Sequence, residues 1–267
     1  MKEKILTNVR IIDPSQNMDE IGDIIIDDRG KIKSIGKSEK NIGISKSIEK
    51  IDLKGNIAIP GIVDMKAFVG EPGFEYKENF RTLSKAALAG GVTSIVTMPN
   101  TKPIIDNVSM VDFIIRRGRD KSKVNLFPCA SITRQIEGNQ MTEFGLLKAR
   151  GVIGFSDVNK TIQNTELMSR IMNYASDLDV LIMQHAEDYE LSKNSCINEG
   201  EVATRLGLQG VSDIAEKIII ERDLSLLSKF PCRYHINQIS SQNSLNVIKK
   251  NKLNGIKFST GVSINNL

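Results

Sequence analysis

Thr93-Ser94-Ile95-Val96-Thr97-Met98, Ser109-Met110-Val111-Asp112-Phe113-Ile114-Ile115-Arg116-Arg117 and Asn125-Leu126-Phe127-Pro128-Cys129-Ala130 decide the fold. The outer two runs are short and apolar, as strands buried on both faces are. Between them, Met110, Phe113, Ile114 and Arg117 are spaced to give one apolar helical face with a polar edge. A strand, a helix and a second strand of this kind form the unit of a parallel sheet covered by helices.

The same alternation runs outward in both directions. Further strands are expected at 57–65, 151–155, 180–184, 234–239 and 255–259, with helices at 80–88, 142–148, 166–176, 212–227 and 244–250. Seven strands in strict alternation favour a (β/α)8 TIM-type barrel over an open sheet. Such barrels typically need about 250 residues, so a barrel spanning 57–267 is expected to lack its eighth strand. Residues 1–56 have a different rhythm: β-like runs at 4–12, 23–27, 31–35 and 48–53, with a turn at Asp28-Arg29-Gly30. They read as a small β-sandwich-like domain that needs a partner sheet.

Composition narrows the function classes. Lys and Arg total 36 against 32 for Asp and Glu, and the basic residues are scattered, which argues against a phosphate-tracking nucleic-acid surface. Cys129, Cys196 and Cys232 form no C-x-x-C pair, which fits a reducing, cytoplasmic setting. No run reads as a signal peptide or a membrane span, so neither secretion nor a membrane partner is expected.

Six motifs then occur in order: 60–78 beginning Pro60-Gly61-Ile62-Val63-Asp64-Met65-Lys66; Ala89-Gly90-Gly91-Val92-Thr93 with Met98-Pro99-Asn100-Thr101-Lys102-Pro103; Phe155-Ser156-Asp157; Gln184-His185-Ala186-Glu187-Asp188; Thr204-Arg205-Leu206-Gly207-Leu208; and Tyr234-His235-Ile236-Asn237-Gln238-Ile239-Ser240-Ser241. In this register over about 190 residues, the chain resembles the dihydroorotases of the amidohydrolase superfamily. It is most similar to the non-catalytic, dihydroorotase-like subunits.

The resemblance implies a zinc-dependent hydrolase barrel, in which the metal lowers the pKa of bound water and polarises the amide. It places the first-strand histidine pair at Lys66 and Phe68, the bridging aspartate at Asp157, and the later histidines at His185 and Gln238. Asp157 and His185 alone keep the expected residue type, so they are read as vestigial metal positions and Lys66, Phe68 and Gln238 as replaced ones. Lysine has no lone pair to give when protonated. The family's substrate-binding arginine falls on Gly70, and its asparagine on Asn100, a vestigial substrate contact or a turn former. His235 is expected to be a hydrogen-bonded core residue, and His185 either an inherited ligand or a hydrogen-bonded residue at the barrel mouth. Relatives carry histidines where Asn265 and Asn266 stand.

The resemblance therefore implies a non-catalytic protein of pyrimidine biosynthesis that needs no cofactor. It would serve as scaffold or regulatory partner of aspartate carbamoyltransferase and would self-associate. An active zinc cyclic amidohydrolase (dihydroorotase, allantoinase or dihydropyrimidinase type) and a non-functional fragment are the alternatives.

Overall fold

A computed structural model describes residues 2–36 and 48–266. The chain divides into two compact units, Met1–Ile62 and Val63–Leu267. In the first unit β1 (Lys4–Asp13) pairs antiparallel with β2 (Met18–Ile26), and β2 with β3 (Ile32–Gly36). The Asp13 side chain accepts from Ser15 N–H to start the β1–β2 turn, and Asp27 accepts from Arg29 and Lys31 N–H to close the next. The other edge of β1 takes β4 (Glu49–Asp52) and β5 (Ile57–Ala58), both parallel to it. Val9, Ile11 and Ile24 form the buried centre of this unit.

The first expected barrel strand, 57–65, is two elements. Ile57–Ala58 belongs to the small sheet, and β6 (Ile62–Ala67) starts the large one. Pro60 stands between them, where it lacks an N–H for any ladder and holds Ile59 extended.

The second unit continues α1 (Phe80–Ala89), β7 (Val92–Thr97), α2 (Val108–Lys121), β8 (Asn125–Ala130), α3 (Phe144–Ala149), β9 (Gly154–Phe155), α4 (Thr165–Asp177) and β10 (Leu181–His185). An excursion follows: α5 (Tyr189–Ser192), β11 (Ile197–Asn198), α6 (Glu201–Leu206) and β12 (Gly210–Val211), with β11 parallel to β12. Then come α7 (Ile214–Lys229), β13 (Arg233–Asn237), α8 (Gln242–Leu253) and β14 (Ser259–Thr260). The large sheet has the order β14-β13-β10-β9-β8-β7-β6. Its strands run parallel from β7 to β14. It is a curled parallel sheet covered by helices, a TIM-type barrel that stops at seven strands among the described residues.

Two apolar layers hold it. The helix-facing core includes Phe80, Phe144, Phe155, Ile114, Ile171 and Ile220. Phe144 on α3 and Phe155 on β9 pack with ring centroids 4.3 Å apart. Fully burying a side chain of this size stabilises by roughly 1.5–3 kcal/mol. The inner face of the sheet carries Val96, Met98, Cys129 and Met183, with Ile136 and Val158 packed among them. Helix α2 is capped by Asn107, whose side chain accepts from Met110 N–H. Its most buried face is Val111, Ile114 and Gly118, and Met110 and Phe113 pack on the core's margin. The face is rotated because the helix lies close on β8: a Cβ on Gly118 would meet Leu126 at 3.2 Å. Among the described residues, no helix is long and apolar enough to cross a membrane.

Candidate active site

Parallel strands of a barrel bring their C-terminal ends to one face, where such folds place their chemistry. Lys66 is the penultimate residue of β6, Asp157 follows β9, His185 ends β10 and Gln238 follows β13. The Lys66 ammonium donates to Asn159 Oδ1 at 2.8 Å and to Gln238 Oε1 at 2.6 Å. Burial pushes its pKa down to about 8. Strand β6, the loop after β9 and the end of β13 are thus tied by one cation.

Asp157 is 2% exposed and turns toward Thr133, accepting from its backbone N–H at 3.0 Å and from its hydroxyl. Burial raises its pKa to about 6, against the opposing pull of the Thr133 hydrogen bonds. At His185, burial first and the Lys66 charge second push the imidazole pKa down, while Glu187, 3.2 Å from Nε2, pulls it up. His185 Nδ1 is buried without a partner, and so is Asn100 Oδ1 beyond β7. Phe68 packs on Phe74, with centroids 5.9 Å apart.

Gly70 has a left-handed φ of 75°, and a Cβ there would lie 2.5 Å from the Glu78 carbonyl oxygen. No side chain fits at that position as the loop stands, so an arginine could not simply be restored. His235 is 7% exposed, its Nδ1 lies 2.8 Å from Ser259 Oγ, and burial lowers its pKa. Among the described residues, no group of three or more His, Cys, Asp or Glu side chains is placed to hold a metal ion.

The structure therefore joins Lys66 directly to Gln238 and sets His185 within reach of the Lys66 charge, whereas Asp157 is tied elsewhere, to Thr133. Sequence reasoning missed Asn159, Thr133 and Glu187 as parts of this site. Asn159 had a signal, since it lies two residues beyond Asp157, and Glu187 lies two beyond His185. Thr133 had none.

A family profile described as dihydro-orotase-like matches residues 55–244. The chain belongs to the dihydroorotase-like family. A dihydroorotase of Syntrophus aciditrophicus is 40% identical over 253 residues, covering 95% of this chain and 59% of that protein. One of Ehrlichia canis is 41% identical over 263 residues, covering 97% and 58%. Among solved structures, the L-hydantoinase (dihydropyrimidinase) of Arthrobacter aurescens superposes with a TM-score of 0.80 at 18% identity, covering 98% of this chain and 58% of that one. The D-hydantoinase of a Thermus species gives 0.76 at 19%, covering 98% and 57%. These structural likenesses establish the fold, an α/β barrel with a curled parallel sheet. The dihydroorotase-like chain spans somewhat under three fifths of the length of the relatives it matches.

Proposed function

We propose that this chain is a dihydroorotase-like protein of pyrimidine biosynthesis, residing in the cytoplasm, that performs no hydrolysis of its own. The observation that carries this reading is the Lys66 ammonium, bonded 2.6 Å from Gln238 Oε1 at the position where the family's resemblance calls for a zinc ligand. Two unit charges about 4 Å apart are worth roughly 4 kcal/mol near a protein surface, and a dication doubles the repulsion. Nearby donors do not offset it. Asp157 is engaged by Thr133, Gln238 offers an amide oxygen that zinc takes poorly in place of imidazole, and Phe68 offers nothing. The residues present do not fit a zinc ion, and no catalytic step is routed through one.

With chemistry set aside, the retained loop frame at the barrel face supports a role in association: a scaffold or regulatory partner of aspartate carbamoyltransferase, with self-association of the barrel. Loops on a rigid barrel suit docking. Elemental analysis and a ring-closure assay with N-carbamoyl-L-aspartate test the first part. Stoichiometric zinc that is lost on substituting His185, or ring closure above the buffer rate, would overturn it. Restoring both first-strand histidines (Lys66→His with Phe68→His) is expected to leave the assay at background, because Gln238 and the crowded Gly70 remain. Co-expression with the carbamoyltransferase of the same genome, followed by size-exclusion chromatography, tests the second part. Separate elution at micromolar concentration rules it out.

A further inference from the structure

The connection from β8 to α3 folds back on itself as a flap. Thr133 and Met141 form an antiparallel bridge, and Arg134 N–H donates to the Gln140 carbonyl at 2.8 Å. Toward the tip Arg134, Gln135, Glu137, Asn139 and Gln140 are exposed, whereas Ile136 is buried. Ile136 joins Val96, Met98, Cys129 and Met183 in the apolar cluster on the inner face of the sheet, and so does Val158 from the loop after β9. Two loops thus each send one branched side chain into the barrel interior.

Both of these residues are held in left-handed backbone, at a φ of 56° for Ile136 and 62° for Val158. Among the described non-glycine residues at positive φ, they are the two that are β-branched. A β-branched residue in that region is strained and persists only where its surroundings impose the conformation. Here the surroundings are a set of bonds between the two loops. The Asp157 carboxylate accepts from the Thr133 N–H at 3.0 Å and from the Thr133 hydroxyl, and Lys160 Nζ donates to the Ile136 carbonyl at 3.0 Å. At the tip, Gln135 donates from its N–H and its side-chain amide to Asp106 Oδ2, at 3.2 and 2.7 Å. Strain that favours release is therefore opposed by a few identifiable contacts.

We propose that residues 133–141 are a sprung flap over the barrel interior, which lifts as a unit while the barrel stays folded, with Asp157 and Lys160 as the latch that keeps it down. When the flap lifts, Ile136 and Val158 return to ordinary backbone angles, so released strain offsets part of the packing that is lost. Such openings below the level of global unfolding are the usual source of moving loops. The flap governs access to an interior that side chains otherwise fill. This goes beyond the proposed function and does not rest on it, since it holds whether or not any chemistry follows.

Cys129 reports the opening. It is fully buried in the same cluster, and burial pushes its thiol pKa well up, so it reacts with a thiol reagent only when uncovered. The test uses the full chain with Cys196→Ser and Cys232→Ser, labelled by 5,5′-dithiobis(2-nitrobenzoate) across a urea series. Labelling is expected without urea and at a rate nearly constant at low urea, because lifting a flap exposes little surface. Lys160→Met removes one latch bond and is expected to speed labelling about fivefold to tenfold. Tyr234→Phe weakens the barrel from the helix side of the sheet, where the tyrosine bonds Asp223, and is expected to leave the rate without urea unchanged. Labelling confined to the urea range of global unfolding would overturn the proposal. So would acceleration by Tyr234→Phe equal to that by Lys160→Met, since both variants would then act through the stability of the whole barrel.

Discussion

Lys66 and Gln238, 172 positions apart in sequence, meet across the barrel mouth at 2.6 Å, the ammonium donating and the amide oxygen accepting. Asn159 completes the arrangement at 2.8 Å. A cation supplied by the chain itself stands where the resemblance calls for a metal-binding strand end, and two neutral amide oxygens solvate it. Such charge-assisted bonds are the stronger kind, which is how a lysine is kept charged at a half-buried site.

Burial nevertheless disfavours the charge, and Lys66 titrates at about 8 instead of 10.5. Between those values the unfolded chain holds a proton that the folded chain has lost, so this group makes stability rise with pH from 8 to 10.5. Lys66→Met is expected to remove that rise. After allowance for solvent screening of a half-exposed group, the difference is about 1 kcal/mol. Urea midpoints of both proteins at pH 8 and pH 10 decide it, and parallel slopes would show that burial does not govern this lysine.

Asp157 works in the opposite sense. Its pKa stands at about 6 against 3.8, raised chiefly by burial. From pH 4 to pH 6 the folded chain holds a proton that the unfolded chain has lost, so its contribution to stability falls as pH rises and the cost is complete by pH 7. Asp157→Asn keeps an acceptor for the Thr133 N–H and removes the charge. It is expected to stabilise by on the order of 2 kcal/mol at pH 7 and hardly at all at pH 4. Destabilisation at pH 7 would mean that the carboxylate is held by partners stronger than the Thr133 hydrogen bonds.

Glu71, 4% exposed, accepts from Arg117 Nε at 2.9 Å and from Phe80 N–H at 3.2 Å, and its carboxylate lies 2.8 Å from the other guanidinium arm. It joins the loop after β6 to α2 and to the first turn of α1. Glu71→Gln leaves a partly buried guanidinium short of its counter-charge and is expected to cost about 2 kcal/mol, less than a fully buried pair because Arg117 is half-exposed. Guanidinium unfolding curves measure it. A loss within error would place the pair among inert surface bridges.

Behind β10 and β13, the fully buried Asp223 accepts from Tyr234 OH at 2.6 Å and Gln184 Nε2 at 3.1 Å, with Arg222 beside it at 2.8 Å. Tyr234→Phe deletes one donor to a desolvated carboxylate and is expected to lower stability by about 1.5–3 kcal/mol. Thermal denaturation measures it.

Much of the fold was legible from residue order. Apolar runs at Thr93–Met98 and Asn125–Ala130 overlap strands β7 and β8, and the intervening helix formed behind its Asn107 cap. The break at Pro60 also had a local cause, although the run 57–65 looked continuous by hydrophobicity. The excursion from Tyr189 to Val211 was not legible, because strands of two residues carry no period. Nor were Glu71 with Arg117, or Asp223 with Tyr234, since ion pairs and buried networks between distant segments leave no local pattern.

Residue identity by itself determined which groups stand at the family's positions: Lys66, Phe68 and Gln238 where imidazoles are called for, Asp157 and His185 where the expected types remain. It determined that the barrel mouth holds a lysine, but not what that lysine does. Only the tertiary structure decided that Lys66 bonds to Gln238 and Asn159, that Asp157 turns to Thr133, and that His185 Nδ1 and Asn237 Nδ2 are buried without partners. The physical reason is range. Strand and helix periods are set by neighbours within a few residues, whereas these contacts join segments that meet only after the sheet has curled and brought its strand ends together.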